Sequence, residues 1–314
     1  MNKIQNNYLL KELSTFKIGG PAEYFISVET KEDLEEAWTW ARENNLKITL
    51  LGGGSNILVS DKGVKGLVIK LDNKKFNLDN EEIICEASAR VWDIAQLAAD
   101  NSLTGIEWAI GIPGSIGGAV RGNAGAHGGS FDKAVSKVIV FNSTDNSWQE
   151  FNNEQCGFAY RHSIFKQKPE FIIWQIVLKL LKGDQEKINE AVKSYRQYRS
   201  ECQPKEPSAG CIFKNLFFDD IKKANPDLAK EIEAANKSRG GKVGAGYLVE
   251  KLNLKGTCLG DAQVSEMHAN FIVNKGVATA ADVRGLVQKI KSEVKRSFNI
   301  DLEEEVQYLG DFEA

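Results

Sequence analysis

Cysteine and histidine are scarce in this sequence of 314 residues. There are three histidines, and the five cysteines form no Cys-x-x-Cys pair. The cysteines are Cys85, Cys156, Cys202, Cys211 and Cys258. An odd, scattered set of this kind excludes a zinc ribbon, a thioredoxin-like pair and a disulfide framework. The sequence therefore predicts reduced thiols and no metal site.

An excess of charge and a long apolar run are also lacking. Lys and Arg number 40 against 43 Asp and Glu, which gives a net charge of −3. A general nucleic-acid binder needs a basic surface, and a membrane span needs roughly 18 consecutive apolar residues. The N-terminal stretch MNKIQNNYLLKELS lacks the apolar core of a signal peptide. We therefore expect a cytoplasmic protein without a nucleic-acid or membrane partner.

Helical and strand-like patterns alternate along the chain. Hydrophobic residues make up 42% of the sequence, enough for a real core, and the length predicts two or three domains. Apolar stripes predict helices over 31–44, 91–100, 185–202, 219–236 and 280–298. Short apolar runs predict strands over 48–51, 57–59, 66–71, 82–89, 171–181 and a final strand over 302–310, with a hairpin of 137–141 and 147–151. The pattern indicates a mixed α+β protein.

A domain boundary is predicted near residues 203–208. This stretch, QPKEPS, holds two of the six prolines of the chain. We predict three parts: a first lobe over 1–76, a second lobe over 77–200 and a C-terminal domain over 201–314.

Two glycine-rich tracts stand out in the predicted N-terminal part. The first, Gly52–Asn56, follows a strand with the sequence GGGSN, which matches neither a Walker loop nor the G-x-G-x-x-G fingerprint. Its backbone N–H groups could form a nest for phosphate, although a plain β-turn fits equally well. The second tract, 105–130, carries nine glycines, too many for an ordinary helix. It is either a linker or a loop that wraps a ligand.

The composition of the second tract favours the ligand interpretation. A flexible linker would be polar, whereas this tract contains Ile, Trp and Val. Two backbone-rich loops suit a dinucleotide whose pyrophosphate is held by N–H groups. The pair of tracts predicts such a ligand.

Three further segments carry reactive side chains, each with an ordinary alternative. Tyr160–Lys166 offers Arg161 as a bidentate fork for a carboxylate or phosphate, although a solvated surface arginine is equally compatible. Cys211 begins a strand after the proline-rich joint, where an inert thiol is common. The acidic run Glu303–Glu305 resembles a solvated terminal face.

Taken in order, these motifs resemble the UDP-N-acetylenolpyruvoylglucosamine reductase family of peptidoglycan synthesis. The resemblance begins at Ser14–Ala22 and passes through both glycine tracts and Tyr160–Lys166. It continues through Gly246–Glu250 and His268–Asn274 and ends at Leu302–Gly310.

The resemblance implies a fold and two cofactors. It implies a two-lobed FAD-binding domain of the vanillyl-alcohol-oxidase (PCMH) type plus a C-terminal α+β substrate-binding domain. NADPH is the implied hydride donor. Relatives that bind flavin covalently often carry a histidine in the first glycine loop, where this sequence has Ser55 and Asn56, so non-covalent FAD is expected. The implied FAD-binding residues are Gly52, Gly53, Gly54, Ser55, Asn56, Gly111, Ile112, Pro113, Gly114, Ser115, Gly117, Gly118, Asn123, Ala124 and Gly125.

The family's reaction assigns roles to a second set of residues. NADPH gives a hydride to the flavin, which passes it to C3 of the enolpyruvyl ether and leaves negative charge at C2 and the carboxylate. By motif, Arg161 stabilises that charge, Cys211 protonates C2, and Glu305 assists as a protonated acid kept neutral by desolvation. The implied contacts of the nucleotide sugar are Tyr160, Lys214, Asn215, His268 and Asn270.

The sequence departs from the family pattern at four positions. Cys211 stands where serine is usual, and a thiol ionises near pH 8.5 whereas a serine hydroxyl does not ionise in the working range. Leu216 and Glu304 replace common prolines, and Gln307 replaces an arginine. None of these changes removes a charge that the mechanism needs.

Two alternative functions share part of this sequence evidence. A related flavin oxidase or dehydrogenase of another sugar or alcohol would keep the glycine tracts but has no need of Arg161 with Glu305. A non-catalytic flavin- and nucleotide-binding protein gains nothing from either residue. The sequence does not define the oligomeric state and is compatible with a monomer.

Overall fold

The chain folds into two compact units. The computed structural model describes residues 3–312. The first unit comprises Met1–Asn7, Glu23–Gly53 and Gly66–Glu201, and the second comprises Tyr8–Ala22, Gly54–Lys65 and Cys202–Ala314. Both units contain helices and strands, which confirms the predicted α+β class.

The division differs from the predicted parts in the first 76 residues. The sequence analysis placed Tyr8–Ala22 and Gly54–Lys65 in the first lobe, whereas the structure assigns both segments to the second unit. Long-range hydrogen bonds hold them there: the Thr15 hydroxyl donates to the Ser208 carbonyl at 2.7 Å. The boundary between the two lobes at residues 76 and 77 lies inside the first unit and stays a prediction.

Two sheets form the framework of the first unit. One is a four-stranded sheet in the spatial order Gln5–Leu9, Pro21–Val28, Val64–Leu71 and Ile48–Leu51, whose last two strands are parallel. The other is a five-stranded antiparallel sheet in the order Ser147–Asn152, Val135–Asn142, Phe171–Lys179, Glu82–Glu86 and Phe76–Asp79. Short strand pairs join Gly125–Ala126 to Gly129–Ser130 and Leu103–Thr104 to Leu181–Lys182.

The helices of the first unit begin and end where local chemistry dictates. Thr30 caps the helix Lys31–Glu43, because its side chain accepts a hydrogen bond from the Asp33 N–H at 3.1 Å. Acidic residues in the first turn of this helix interact favourably with the positive end of the helix dipole. Its buried stripe is Leu34, Ala37 and Ala41. The helices are Lys31–Glu43, Val91–Asp100, Ile116–Arg121, Ile164–Gln167 and Gln185–Cys202, with 3-10 turns at Glu107–Ala109, Phe131–Lys133 and Glu154–Cys156.

One helix lies where the sequence analysis excluded an ordinary one. Ile116–Arg121 is a short helix inside the second glycine tract. Ser115 caps it, since its Oγ accepts from the Gly118 N–H at 3.4 Å. The helix has six residues and is shorter than two turns. It accommodates two glycines because Ser115 caps its start and Gly117 packs tightly against Ala87.

The second unit has its own sheets and its own hydrophobic core. A four-stranded antiparallel sheet runs in the order Ser208–Cys211, Phe271–Asn274, Ala262–Val264 and Cys258–Leu259. A small sheet joins Leu216–Phe217, Lys242–Val243 and Ser238–Arg239, and Ile57–Val59 pairs in parallel with Gln307–Leu309. The helices are Phe218–Ala224, Pro226–Ala234, Ala245–Lys251 and Ala280–Phe298, with a 3-10 turn at Leu10–Leu13.

Two predicted elements of this unit are corrected by the structure. The helix predicted over 219–236 is two helices, because Pro226 lacks an N–H and restricts the residue before it, and Asn225 caps the second helix. The last strand is Gln307–Leu309, so Glu305 lies in the extended segment before it. In its backbone pairing, Glu304 forms an isolated β-bridge to Phe213 and does not belong to a strand.

The longest helix, Ala280–Phe298, is fixed at both ends. A capping box of Thr279 and Asp282 closes its first turn, and Asn299 ends it with a φ of 58°. The Asp61 carboxylate also accepts from the N–H groups of Ala280 and Ala281, at 2.8 and 3.0 Å. A residue about 220 positions away therefore satisfies two of the orphan donors of this helix.

We predict that Asp61→Ala destabilises the second unit. The substitution removes two hydrogen bonds and a favourable charge at a helix N-terminus, worth about 1 kcal/mol. Urea unfolding measures the change. Asp301→Ala is the control, since it removes an equal charge from an exposed residue that pairs with Lys295 and lies at no helix N-terminus. Equal stability of the two variants would contradict the prediction.

Candidate functional site

The two glycine tracts meet in the first unit. The Gly53 N–H donates to the Ser115 Oγ at 3.1 Å. A Cβ at Gly53 would lie 2.5 Å from the Ser115 nitrogen and 2.7 Å from the Gly114 Cα. No side chain fits between the loops, so glycine at position 53 is required by close backbone approach.

The second tract owes its path to two further glycines. Gly114 has a φ of +103°, a conformation that residues with a Cβ rarely adopt. A Cβ at Gly117 would lie 2.8 Å from the Ala87 Cβ, and the Gly117 N–H donates to the Ala87 carbonyl at 2.8 Å. These constraints fix the path of the backbone on both sides of Ser115, the residue that caps the helix Ile116–Arg121.

An arginine that the sequence analysis did not single out supports the start of this tract. The Arg199 Nε donates to the Ile110 carbonyl at 2.9 Å, and its Nη2 donates to the Trp108 carbonyl at 3.4 Å. Arg199 lies in the last turn of the helix Gln185–Cys202. Its partners are about 90 residues away in sequence, so the local pattern contained no signal for them.

The segment with Arg161 forms a tight turn. Ala159 and His162 exchange two backbone hydrogen bonds of 3.1 Å, which leaves Tyr160 and Arg161 at the tip. Arg161 has a φ of 54°, a left-handed conformation that costs a non-glycine residue on the order of 1–3 kcal/mol. Its Nη2 donates to the Gly125 carbonyl at 3.2 Å, and its Cζ lies 5.3 Å from the centre of the Tyr160 ring. The turn is therefore attached to the second glycine tract.

The remaining residues of the first glycine tract belong to the second unit. Gly54 has a φ of +65°, and its carbonyl accepts from the Thr15 N–H at 3.1 Å. The Asn56 Nδ2 donates to the Glu305 carbonyl at 3.1 Å, and the Asn56 carbonyl accepts from the Gln307 N–H at 3.0 Å. The structure thus brings Asn56 and Glu305 together.

Cys211 and Glu305 are also neighbours in the second unit. The Ile212 carbonyl, one residue after Cys211, accepts from the Glu305 N–H at 2.7 Å and from the Val306 N–H at 3.4 Å. Cys211 pairs with Phe271 in the four-stranded sheet. Both Cys211 and Glu305 are half-buried. The backbone segment that carries Glu305 therefore lies beside the segment that begins at Cys211.

Asn270 is buried beneath this strand. Its Oδ1 accepts from the Phe213 N–H at 3.0 Å and its Nδ2 donates to the Phe213 carbonyl at 2.8 Å. The Asn270 carbonyl accepts from the Ile212 N–H at 2.8 Å. Asn270 therefore fixes the backbone that follows Cys211, a role for which a buried amide with two engaged ends is suited.

His268 and Lys214 have defined surroundings near Asn270. The His268 Nδ1 accepts from the Asn270 N–H at 3.3 Å, and burial lowers the pKa of the imidazole, so the neutral ring with its proton on Nε2 is favoured. Lys214 forms an ion pair with Glu303. Asn215 follows Lys214 directly and is exposed. The ring of His268 thus offers an N–H donor.

The glycine tracts fit the phosphates of FAD. No side chain separates the two loops at Gly53, since a Cβ there would collide with the backbone of Gly114 and Ser115. The N–H groups of Gly53 and Gly118 both point at the Ser115 Oγ. Such a cradle suits an anion held by backbone dipoles.

In residues 3–312 no cluster of His, Cys, Asp and Glu could hold a metal ion, and no helix is long and apolar enough to cross a membrane.

Comparisons with known proteins define the class to which the chain belongs. Residues 22–142 match the family described as an FAD binding domain. Residues 203–309 match the C-terminal domain of UDP-N-acetylenolpyruvoylglucosamine reductase. The FAD-binding domain and the C-terminal domain of the predicted fold are thereby confirmed, and the chain is an FAD-dependent oxidoreductase.

Full-length relatives narrow the class to one family. The chain is 37% identical over 99% of its length to UDP-N-acetylenolpyruvoylglucosamine reductase of Bacillus pumilus, of which it covers 95%. It is 35% identical over 99% of its length to the reductase of Bacillus subtilis, also covering 95%. The crystal structure of the reductase from Thermus caldophilus matches 98% of this chain and 99% of its own, with 33% identity and a TM-score of 0.78. The chain belongs to the UDP-N-acetylenolpyruvoylglucosamine reductase family, which uses FAD and NADPH.

We predict that Gly53→Ala lowers the FAD content of the purified protein. The new methyl group clashes with the backbone of Gly114 and Ser115, so the two loops must move apart and the proposed phosphate-binding surface that they form together is disrupted. Flavin absorbance relative to protein absorbance, and the affinity for added FAD, measure the effect.

The control for this variant is Gly122→Ala. A Cβ at Gly122 would meet nothing closer than the Gly118 carbonyl oxygen at 3.7 Å, so that variant retains its flavin. Full FAD occupancy in Gly53→Ala would show that the approach of the two loops is unrelated to cofactor binding.

Proposed function

We propose that this chain reduces the enolpyruvyl ether of UDP-N-acetylglucosamine-enolpyruvate to UDP-N-acetylmuramate. The observation that carries the proposal is the Arg161 turn. A cationic side chain on a left-handed backbone is attached through Gly125 to a tract that suits FAD. A substrate with a carboxylate next to the reacting carbons needs a cation of this kind. The enolpyruvyl group in the name of the relatives carries such a carboxylate.

The proposed FAD site consists of the two glycine tracts and the segment after them. The residues proposed to contact FAD are Gly52–Asn56, Gly111–Ser115, Gly117, Gly118, Ala124 and Gly125. Asn123 lies in the same segment, but its side chain is bonded at both ends to other parts of the chain. When bound, FAD supplies a hydride that originates from NADPH. We propose that the cofactor is non-covalent, because Ser55 and Asn56 offer no histidine for a tether, and that denaturation releases it.

Arg161 has the proposed role of stabilising charge. Addition of hydride to C3 of the vinyl ether leaves negative charge at C2, shared with the carboxylate as an enolate. A guanidinium fixed before the reaction stabilises this charge without reorganisation, and its fork matches a carboxylate. The strained backbone of Arg161 supports this role, since strain of this kind is concentrated at functional sites.

Cys211 has the proposed role of proton donor, with Glu305 beside it. A side-chain acid must deliver a proton to C2 of the enolate. The Ile212 carbonyl, which binds the Glu305 N–H, keeps the two residues adjacent, and this supports a shared role. Glu305 assists if it stays protonated, because only then can it donate a hydrogen bond to an anion.

The nucleotide sugar is assigned to a further set of polar residues. We propose direct contacts for Tyr160, Lys214, Asn215 and His268, the last through its neutral imidazole. For Asn270 we propose an indirect contribution, because its side chain is bonded to Phe213 at both ends. We further propose that the enzyme works in the cytoplasm without a nucleic-acid partner, as its net charge of −3 supports.

We predict that Arg161→Ala and Glu305→Ala slow the second half-reaction selectively. Flavin reduction by NADPH stays close to the rate of the unmodified enzyme, while reoxidation by the enolpyruvyl nucleotide falls about 10²–10³-fold, equivalent to about 2.7–4 kcal/mol. Anaerobic stopped-flow absorbance near the flavin band at about 450 nm follows both steps.

The control is Arg42→Ala, which removes an exposed arginine from the helix Lys31–Glu43. It leaves both half-reactions unchanged. Equal losses in the two half-reactions of Arg161→Ala would instead indicate damage to FAD binding and would refute the assigned role.

We predict an alkaline limit on reoxidation that depends on Cys211. The donor must carry its proton, so the rate falls as pH rises and the thiol ionises. Cys211→Ser removes this limit or moves it upward while retaining substantial activity, because a serine hydroxyl stays protonated. Cys211→Ala blocks protonation of C2 but leaves NADPH oxidation by an artificial acceptor. The pH dependence of single-turnover reoxidation tests each variant.

The matched control is Cys258→Ser, which changes an exposed thiol of the same unit. Its pH profile equals that of the unmodified enzyme. If Cys211→Ala turns over at the normal rate with an unchanged profile, Cys211 is not the donor.

A further inference from the structure

Two side chains join the Arg161 turn to the second glycine tract on either side of the arginine. The Asn123 Nδ2 donates to the carbonyl of Ala159, at the start of the turn, at 3.0 Å. The Ser163 Oγ donates to the carbonyl of Arg121 at 2.6 Å, directly after the turn. All of these residues lie in the first unit. The turn is therefore held at both of its ends by one short segment, residues 121–123.

The side chains of Asn123 and Ser163 are buried, and each is held by defined hydrogen bonds. Ser163 is 0% exposed and Asn123 is 5% exposed. Asn123 also uses its other end, since its Oδ1 accepts from the Asp132 N–H at 3.0 Å. Its φ of 40° is a conformation that asparagine and glycine accept more readily than other residues. A buried amide engaged at both ends is suited to fixing backbone and poorly placed to bind a cofactor.

We propose that Asn123 and Ser163 are positioning residues that set the place of the Arg161 guanidinium relative to the FAD-binding tract. Asn123 then acts through Arg161 and is not a ligand of FAD. Because the Arg161 Nη2 bonds to the Gly125 carbonyl, the tract and the arginine move together. This inference rests on the proposed function of Arg161 as the group that recognises the substrate carboxylate.

The first test measures binding at equilibrium. The oxidised holoenzyme, without NADPH, is titrated in a calorimeter with UDP-N-acetylmuramate, which carries the carboxylate, and with UDP-N-acetylglucosamine, which lacks it. The ratio of the two affinities is the carboxylate preference. Asn123→Gly keeps the backbone conformation and deletes the amide, and Ser163→Ala deletes one oxygen. We expect each variant to lose about tenfold or more of the preference, since a displacement of about 1 Å is costly at such sites.

The matched control is Asn153→Ala. The Asn153 Nδ2 donates to the carbonyls of Asp132 and Val135, at 2.7 Å each, and does not bond to the Arg161 turn. This variant also loses hydrogen bonds beside Asp132, yet it keeps the carboxylate preference and the FAD affinity. Loss of FAD affinity in Asn123→Gly, with the preference intact, overturns the inference and makes Asn123 a ligand of FAD.

A double-mutant cycle tests whether Asn123 acts through Arg161. In the Arg161→Ala background, adding Asn123→Gly causes no further loss of carboxylate preference and no further slowing of reoxidation by the enolpyruvyl nucleotide. Losses that add in the double variant overturn the inference, because Asn123 then acts by another route. If Asn123→Gly does not fold, Ser163→Ala enters the same cycle with the same expectations.

The outcomes separate this inference from the proposed function. If Arg161→Ala itself keeps the carboxylate preference and the normal reoxidation rate, the role of Arg161 is wrong and the positioning inference fails with it. If Arg161→Ala loses both while Asn123→Gly and Ser163→Ala keep both, only the positioning inference is wrong.

Discussion

The approach of two backbone loops at Gly53 and Ser115 is the constraint on which the first unit depends. The Gly53 N–H reaches the Ser115 hydroxyl, and a single Cβ at position 53 would come within 2.5 Å of the opposite backbone. Ser115 also caps the helix Ile116–Arg121, so one hydroxyl joins a strand end, a loop and a helix start. The proposed anion-binding surface, made of backbone groups, requires this closeness, since side chains would hold the loops apart.

The same tract is bonded to the turn that carries Arg161, the cation of the proposed mechanism. Residues 121–125 begin at the last residue of the short helix, and three hydrogen bonds connect them to the segment that carries Arg161. In the second unit, the carbonyl of Ile212 plays a comparable part for Cys211 and Glu305. In both units the backbone around the proposed catalytic residues is held by hydrogen bonds that are at least partly buried, and satisfied polar contacts of this kind make a structure rigid.

Local patterns predicted the elements that depend on local chemistry. The helices Lys31–Glu43 and Ala280–Phe298 agree with expectation, because a threonine cap and an apolar stripe are both visible in sequence. Pro226 also signals a helix break in the sequence. The apolar pattern of buried residues continues from Ile221 to Leu228 across the break, and for this reason one helix was predicted where there are two. The contact of Arg199 with the Ile110 carbonyl was not predictable, since a single hydrogen bond between residues 89 positions apart leaves no pattern. Composition alone predicted that the two glycine tracts serve one ligand. The contacts that hold the tracts in place, such as those of Ser115 and Arg199, became known only from the structure.

The second unit is assembled from three separate stretches of chain, and this has a consequence for its biosynthesis. The buried side chains Phe16, Ile18 and Leu58 belong to its core, and Ile57–Val59 pairs with Gln307–Leu309. During synthesis on the ribosome, Ile57–Val59 cannot pair until Gln307–Leu309, some 250 residues later in the chain, has been translated. The first unit can close much sooner, since it needs nothing beyond Glu201. A nascent chain therefore carries unpaired apolar segments through most of its synthesis, the period when intermediates are most prone to aggregate and to need chaperones.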